Sequence, residues 1–240
     1  YADAGFGIGV ITKWFGTQTP GPGLTRDDID RKNLRPAQEV IAEVKDMKQR
    51  LGLNKFFFIA NGFNRPSDHA KSFCQAMIDA DLKVGWNTGL APGDVDQELI
   101  GLMKKSGCDL VIIGDLVVDA HDPNDLSDRL NQMLEVCRLC EEGGLPYTIG
   151  QTFGAPGETR ETVDRKLAFL QDINPTVANL RVGIRMLPGS RSADQAKSEG
   201  LVFEERDLLL PTFYVAESVK DWIVDHLQTE ADKNPNWSID

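Results

Sequence analysis

The sequence predicts an α/β fold on a parallel sheet, and three observations carry that prediction. Short apolar runs alternate with longer amphipathic stretches along nearly the whole chain. Glycines close several amphipathic stretches, as in KKSG at 104–107 and EEGG at 141–144. No Gly/Ser linker or change of composition divides the chain before its polar end, TEADKNPNWSID. A βαβα rhythm of this kind sets helices outside parallel strands. About six units fit either an open, incomplete (β/α) barrel or a doubly wound sheet.

The strand candidates are FFFIA at 56–60, LVIIG at 110–114, PYTIG at 146–150 and NLRVGI at 179–184, with DLKVGW at 81–86 shorter and GIGVIT at 7–12 weaker. Helices are expected near 35–50, 67–80, 95–106, 125–142 and 159–171. In the third of these, Val95, Leu99, Leu102 and Met103 form one stripe opposite the charges. Pro66 and Pro92 stand where helices begin. The organisation expected is one domain over residues 1–230 and a polar, irregular tail over 231–240.

The 240 residues are 41% hydrophobic and 26% charged, the balance of a globular chain with a large core. A net charge of −11 opposes a phosphate backbone or an anionic lipid surface, so neither nucleic acid nor membrane is an expected partner. The longest apolar runs fall short of the roughly 18 residues that span a bilayer. Four cysteines are too few for a disulfide framework, and a reducing cytoplasm is the expected compartment. The chain starts at Tyr1 without Met or a signal pattern, as a piece of a longer polypeptide would.

Ligands of parallel α/β folds bind beyond the carboxyl ends of the strands. The loops there are ANGFNR at 60–65, NTGLAPG at 87–93, GDLVVDAHD at 114–122, QTFGAPGET at 151–159 and RMLPGS at 185–190. FGAPGET is the most suggestive. Its glycines permit close approach to a ligand, and amides at the following helix start can hold an anion or carbonyl. Glu158 and Thr159 equally suit a capped helix after a tight turn. GFGIG at 5–9 lacks the GxGxxG spacing. Cys137 and Cys140 form a CxxC inside a helical pattern with no second pair, which reads as two small residues on one face. DAHDPND at 119–125 reads as an Asx-rich turn, with metal binding or acid–base work by Asp119 or His121 as the functional alternative. His69 and His226 stand alone in helical patterns, and no base–nucleophile pair is visible.

With these segments in order, the chain resembles the radical SAM superfamily barrel, from about residue 5 to residue 237. The resemblance runs through LRPAQEVIAEV, FFFIANGF, a strand ending in Trp86 and PGDVDQELIGLMKKSGCDLVIIG. It continues through GGLPYTIGQTFGAPGETRETV, LRVGIRMLPGSRSADQAKSEGLV, DLLLPTFY and NPNW. It is strongest for the subgroup whose barrel follows a cobalamin-binding domain. The resemblance implies an open (β/α)6 TIM-like barrel, S-adenosylmethionine as cofactor and a [4Fe–4S] cluster on a CxxxCxxC after the first strand. It places Gly154, Pro156, Gly157, Glu158, Asp115, Arg185, Leu187 and Pro188 at the cofactor.

The departures from the family pattern set the functional expectation. The cluster motif falls on Phe6, Val10 and Lys13, which do not hold iron. Ala60 and Asn61 stand at an acidic pair, Ala91 at an arginine, and Leu116 and Val117 at a Glu-Ser. The chain is therefore expected to carry no cluster of its own. It would be a pseudoenzyme, or a barrel repurposed to hold a small molecule or a protein partner. The alternative is an S-adenosylmethionine-dependent radical or methyl-transfer enzyme with an atypical cluster site, or a cluster-free one using Asp115, Asp119, His121 or Arg185.

Overall fold

A computed structural model describes residues 9–11, 34–60, 62–114, 123–201 and 204–239. Residues 9–114 with 135–148 cluster as one compact unit, and 123–134 with 149–239 as a second. The motif positions Phe6 and Lys13 lie outside the described residues, as do Asn61, Asp115, Leu116, Val117, Asp119 and His121.

In the first unit, β1 (Gly9–Ile11), β2 (Lys55–Phe58), β3 (Gly85–Leu90) and β4 (Cys108–Ile113) run parallel in that order. Between them come α1 (Ala37–Leu51), α2 (Ser67–Ala80) and α3 (Gln97–Lys105). Each helix ends where its chemistry dictates. Gly52 closes α1 in the left-handed region at φ 67°, and the Asp96 side chain starts α3 by accepting from the Leu99 amide at 2.8 Å. Phe58 and Trp86 turn to the helical side and meet Phe73 of α2 edge-on, with ring centroids 5.2 and 5.8 Å from it. Trp86 is fully buried, and its indole N–H donates to the Ser106 carbonyl at 3.1 Å.

The last part of α4 (Pro123–Gly143) and the start of β5 (Tyr147–Phe153) complete this unit. The second unit continues with α5 (Arg160–Gln171), β6 (Val177–Val182), a short antiparallel pair β7 (Ile184–Arg185) and β8 (Phe213–Tyr214), and α6 (Arg191–Ser198). It ends with α7 (Ile223–Ala231) and β9 (Trp237–Ile239), which lies parallel to β6. Parallel strands alternating with helices make the fold class α/β in both units, in the strand–helix order of an incomplete (β/α) barrel.

Three expectations change. The 81–86 strand runs instead over Gly85–Leu90, because Asp81 and Lys83 adopt positive φ after α2 while Asn87–Leu90 pair with β4. The PYTIG candidate at 146–150 lengthens to Phe153, so Gln151, Thr152 and Phe153 belong to a strand and not to a loop. The tail is not irregular: Ala178, Asn179 and Leu180 pair with Trp237, Ser238 and Ile239, and Trp237 is buried. Polar composition hid this strand because its partner is distant in sequence.

Candidate functional site

The FGAPGET turn lies in the second unit between β5 and α5, and its charge points inward. Glu158 is fully buried. Its Oε2 accepts from the Gly154 amide at 3.1 Å and from Lys166 Nζ at 2.6 Å, and its Oε1 from the Thr162 hydroxyl at 2.5 Å. Lys166, also fully buried, donates again to the Thr152 carbonyl at 3.0 Å and sits 5.5 Å from the Phe153 ring centre. Ser218 donates to the Glu158 carbonyl. Thr159, not Glu158, caps α5, in a reciprocal pair with Thr162. The carboxylate thus closes the loop on its own strand and helix.

The glycine that opens the turn has a packing reason of its own. Gly154 sits at φ 87°, and a Cβ there would lie 3.0 Å from Val215 Cγ1. Its carbonyl accepts from the Ala216 amide at 2.9 Å. Both polar groups of Gly154 are therefore committed within the protein. Pro156 and Gly157 are half-buried, while Arg185, Leu187 and Pro188 are exposed at β7 and the turn after it. These residues, with Gly154 and Glu158, are the sequence candidates that fall among the described residues; Asp115 does not.

The first unit holds a different arrangement at its strand ends. Strand alternation and register put Phe57, Ile59, Gly89 and Ile112 on the face turned away from Phe73. A cavity of about 90 Å³ opens there, lined by those four residues with Ala60 and Gly114. Ile59 and Ile112 remain 48% and 39% exposed. Towards the strand starts, Lys55 pairs with Asp109, and the reoriented Asn87 amide donates to Asp109 at 2.6 Å.

The cysteines lie in the core of this unit. Cys74 is on α2, Cys108 opens β4, and Cys137 and Cys140 are on α4; each is at most 4% exposed. Burial pushes the thiols of Cys74, Cys137 and Cys140 up to about 12. Cys108 is raised by burial first and then by Cys74 and Cys140 close by. Among the described residues no three His, Cys, Asp or Glu form a group that could hold a metal ion. These four thiols therefore do not fit a [4Fe–4S] cluster, whose ligands are exposed thiolates brought to one point. Two histidines, His69 and His226, lie among the described residues. Burial lowers the pKa of His69, and His226 Nε2 lies 3.6 Å from Asp164.

Thr162, Lys166 and Ser218 went unremarked in the sequence. A lysine on the stripe of Thr162, Val163, Leu167 and Leu170 was the available signal, since a cation on a core-facing stripe requires a buried partner. Of the cavity residues, Ala60, Gly89 and Gly114 fall in strand-end loops expected to meet a ligand, while Phe57, Ile59 and Ile112 gave no signal of their own.

No family model matches the chain. A tryptophan 2-C-methyltransferase from Streptomyces laurentii is 26% identical over 180 residues, 66% of this chain and 30% of that protein. Among solved structures, the radical S-adenosylmethionine methyltransferase TsrM from Kitasatospora setae, with cobalamin and a [4Fe–4S] cluster bound, superposes with a TM-score of 0.70. That match is 18% identical and covers 87% of this chain and 49% of that one. A second TsrM structure, with tryptophan substrate and a SAM analogue bound, gives 0.59 at 23% identity over 68% of this chain and 34% of that one. The chain thus spans about a third of the curated relative and half or less of the TsrM chains. Among the described residues no helix is long and apolar enough to cross a membrane. The superposition gives this chain the fold of these radical SAM methyltransferase structures, and its sequence is similar to that of a tryptophan 2-C-methyltransferase.

Proposed function

We propose that this chain forms the barrel region of an S-adenosylmethionine-dependent C-methyltransferase whose cluster, where one is present, is held by thiolates other than Cys74, Cys108, Cys137 and Cys140. The observation that carries the reading is the 180-residue match to a tryptophan 2-C-methyltransferase on a barrel that superposes on TsrM. The burial of all four cysteines supports the second clause, since a buried neutral thiol is a poor iron ligand. Four free thiols also suit the cytoplasm as its compartment.

In this reading the residues of the chain bind and orient, and the cofactor supplies the methyl group. Pro156, Gly157, Arg185, Leu187 and Pro188 contact S-adenosylmethionine through their accessible surfaces. Gly154 and Glu158 act through shape: their mutual hydrogen bond and the Lys166 ion pair hold the turn that presents Pro156 and Gly157. Asp115 is assigned to the same cofactor from the resemblance alone.

The test is methyl transfer from labelled S-adenosylmethionine to tryptophan by the longest natural polypeptide containing this chain, with cobalamin supplied. Labelled methyltryptophan is the expected product. Saturable S-adenosylmethionine binding without transfer, to tryptophan or to other indoles, would overturn it. That result would favour the second reading, a cluster-free barrel that holds a small molecule or a partner, which the four buried thiols also support.

A further inference from the structure

We infer that the segment joining β8 to α7, residues 215–222, is a clasp on the FGAPGET turn, and that Ser218 is the positioning residue that closes it. Three contacts follow one another along both stretches of chain. At the start of the turn, the Gly154 carbonyl accepts from the Ala216 amide at 2.9 Å, and Val215 occupies the space that a Cβ at Gly154 would need. At its end, the Ser218 hydroxyl donates to the Glu158 carbonyl. Just beyond, Arg160 opens α5 and lays its guanidinium 4.6 Å from the centre of the Trp222 ring. The Trp222 indole N–H donates back to the Ser218 carbonyl at 3.0 Å. Between these points Pro156 and Gly157 keep accessible surface and are the part of the turn left to face a ligand.

The two sides of Glu158 are therefore held from different places. Its carboxylate is fixed by Gly154, Thr162 and Lys166, all close by in sequence, while its carbonyl is fixed by a residue 60 positions away. Ser218 is itself exposed, so it fills no core space; what it adds is one directed hydrogen bond to a buried residue. Positioning is thereby separated from folding. Loss of the hydroxyl leaves the packing in place and loosens only the main chain of the turn. The clasp stands on these contacts alone, and its consequence for S-adenosylmethionine rests on the methyltransferase reading.

The experiment compares Ser218→Ala, Ser218→Thr and the control Lys220→Ala in the whole 240-residue chain, by amide hydrogen exchange and by calorimetric titration with S-adenosylmethionine. Ser218→Ala is expected to speed exchange of the Gly154 and Glu158 amides about tenfold, with Ala178 and Leu180 on β6 unchanged and the thermal transition in place. It is expected to weaken S-adenosylmethionine by about the same factor, and Ser218→Thr, which keeps the donor, to restore both readings. Lys220→Ala removes only a surface ion pair with Glu217 and is expected to change neither. Unchanged exchange at Gly154 and Glu158 in Ser218→Ala, a rise matched on β6, or the same rise in Lys220→Ala would overturn the clasp. Equal S-adenosylmethionine affinity in Ser218→Ala and the unaltered chain would overturn the positioning role. Exchange that depends on Ser218 in a chain that binds no S-adenosylmethionine would uphold the clasp and overturn the cofactor reading alone.

Discussion

The two loop regions that invite a ligand differ in where their polar groups go. The FGAPGET turn of the second unit has the glycines and the acid expected of a binding loop, yet its carboxylate is spent on Gly154, Thr162 and Lys166. The strand ends of the first unit have no such signature, yet they leave an open apolar cavity. Glycine and acid at a turn therefore do not by themselves mark a ligand. A buried carboxylate needs a cation, and Lys166 supplies it from within the same segment. Space is made instead by what is missing from the side chains at Ala60, Gly89 and Gly114.

Breaking the polar side of this contrast should produce the largest effect. Lys166→Met strands the Glu158 charge in the core and is expected to destabilise the fold by about 3–5 kcal/mol in chemical denaturation. The paired variant Glu158→Leu with Lys166→Met should recover much of that loss, because a hydrophobic replacement of both charges removes their desolvation cost. If the single and double variants lose equal stability, the ion pair is not what closes the loop.

Gly154→Ala comes next. The positive φ and the Val215 contact at 3.0 Å together should cost about 1–3 kcal/mol. Gly189→Ala, at φ 74° with open space around it, should cost less, about 1 kcal/mol. Thermal melts of the two variants would reveal the difference. Thr162→Val removes the hydroxyl that donates to Glu158 and accepts from the Thr159 amide, at nearly constant volume, and an effect of about 1–3 kcal/mol is expected.

The cysteines sharpen the contrast by pH. Their thiols are raised from an ordinary 9.0 to about 12 at Cys74, Cys137 and Cys140, so the folded chain keeps them protonated where the unfolded chain ionises them. Their contribution is complete below pH 9 and declines as pH rises towards 12. Iodoacetamide at pH 8 should label none of the four until denaturant is added; rapid labelling of the native chain would contradict their burial.

Much of this was legible in the sequence, and the limits have physical causes. The helix over 67–80 falls where its pattern places it, because Pro66 and the Phe73, Ala76 and Met77 stripe are local signals. β9 was not legible, since pairing with β6 across more than fifty residues is a tertiary event. The same holds at the sites. Glu158 was expected to contact the cofactor or cap the helix; its partner Lys166 lies two turns along the next helix, and only packing decides that the pair is buried. The cavity depends on three strands in register, which no single stretch encodes.

The most direct measurement is iron and sulfide content of the purified 240-residue chain after anaerobic reconstitution. The account predicts no stoichiometric iron or sulfide and no cluster absorption, because Cys74, Cys108, Cys137 and Cys140 are core residues. A stoichiometric [4Fe–4S] cluster on this chain, lost when those cysteines are replaced by serine, would contradict it.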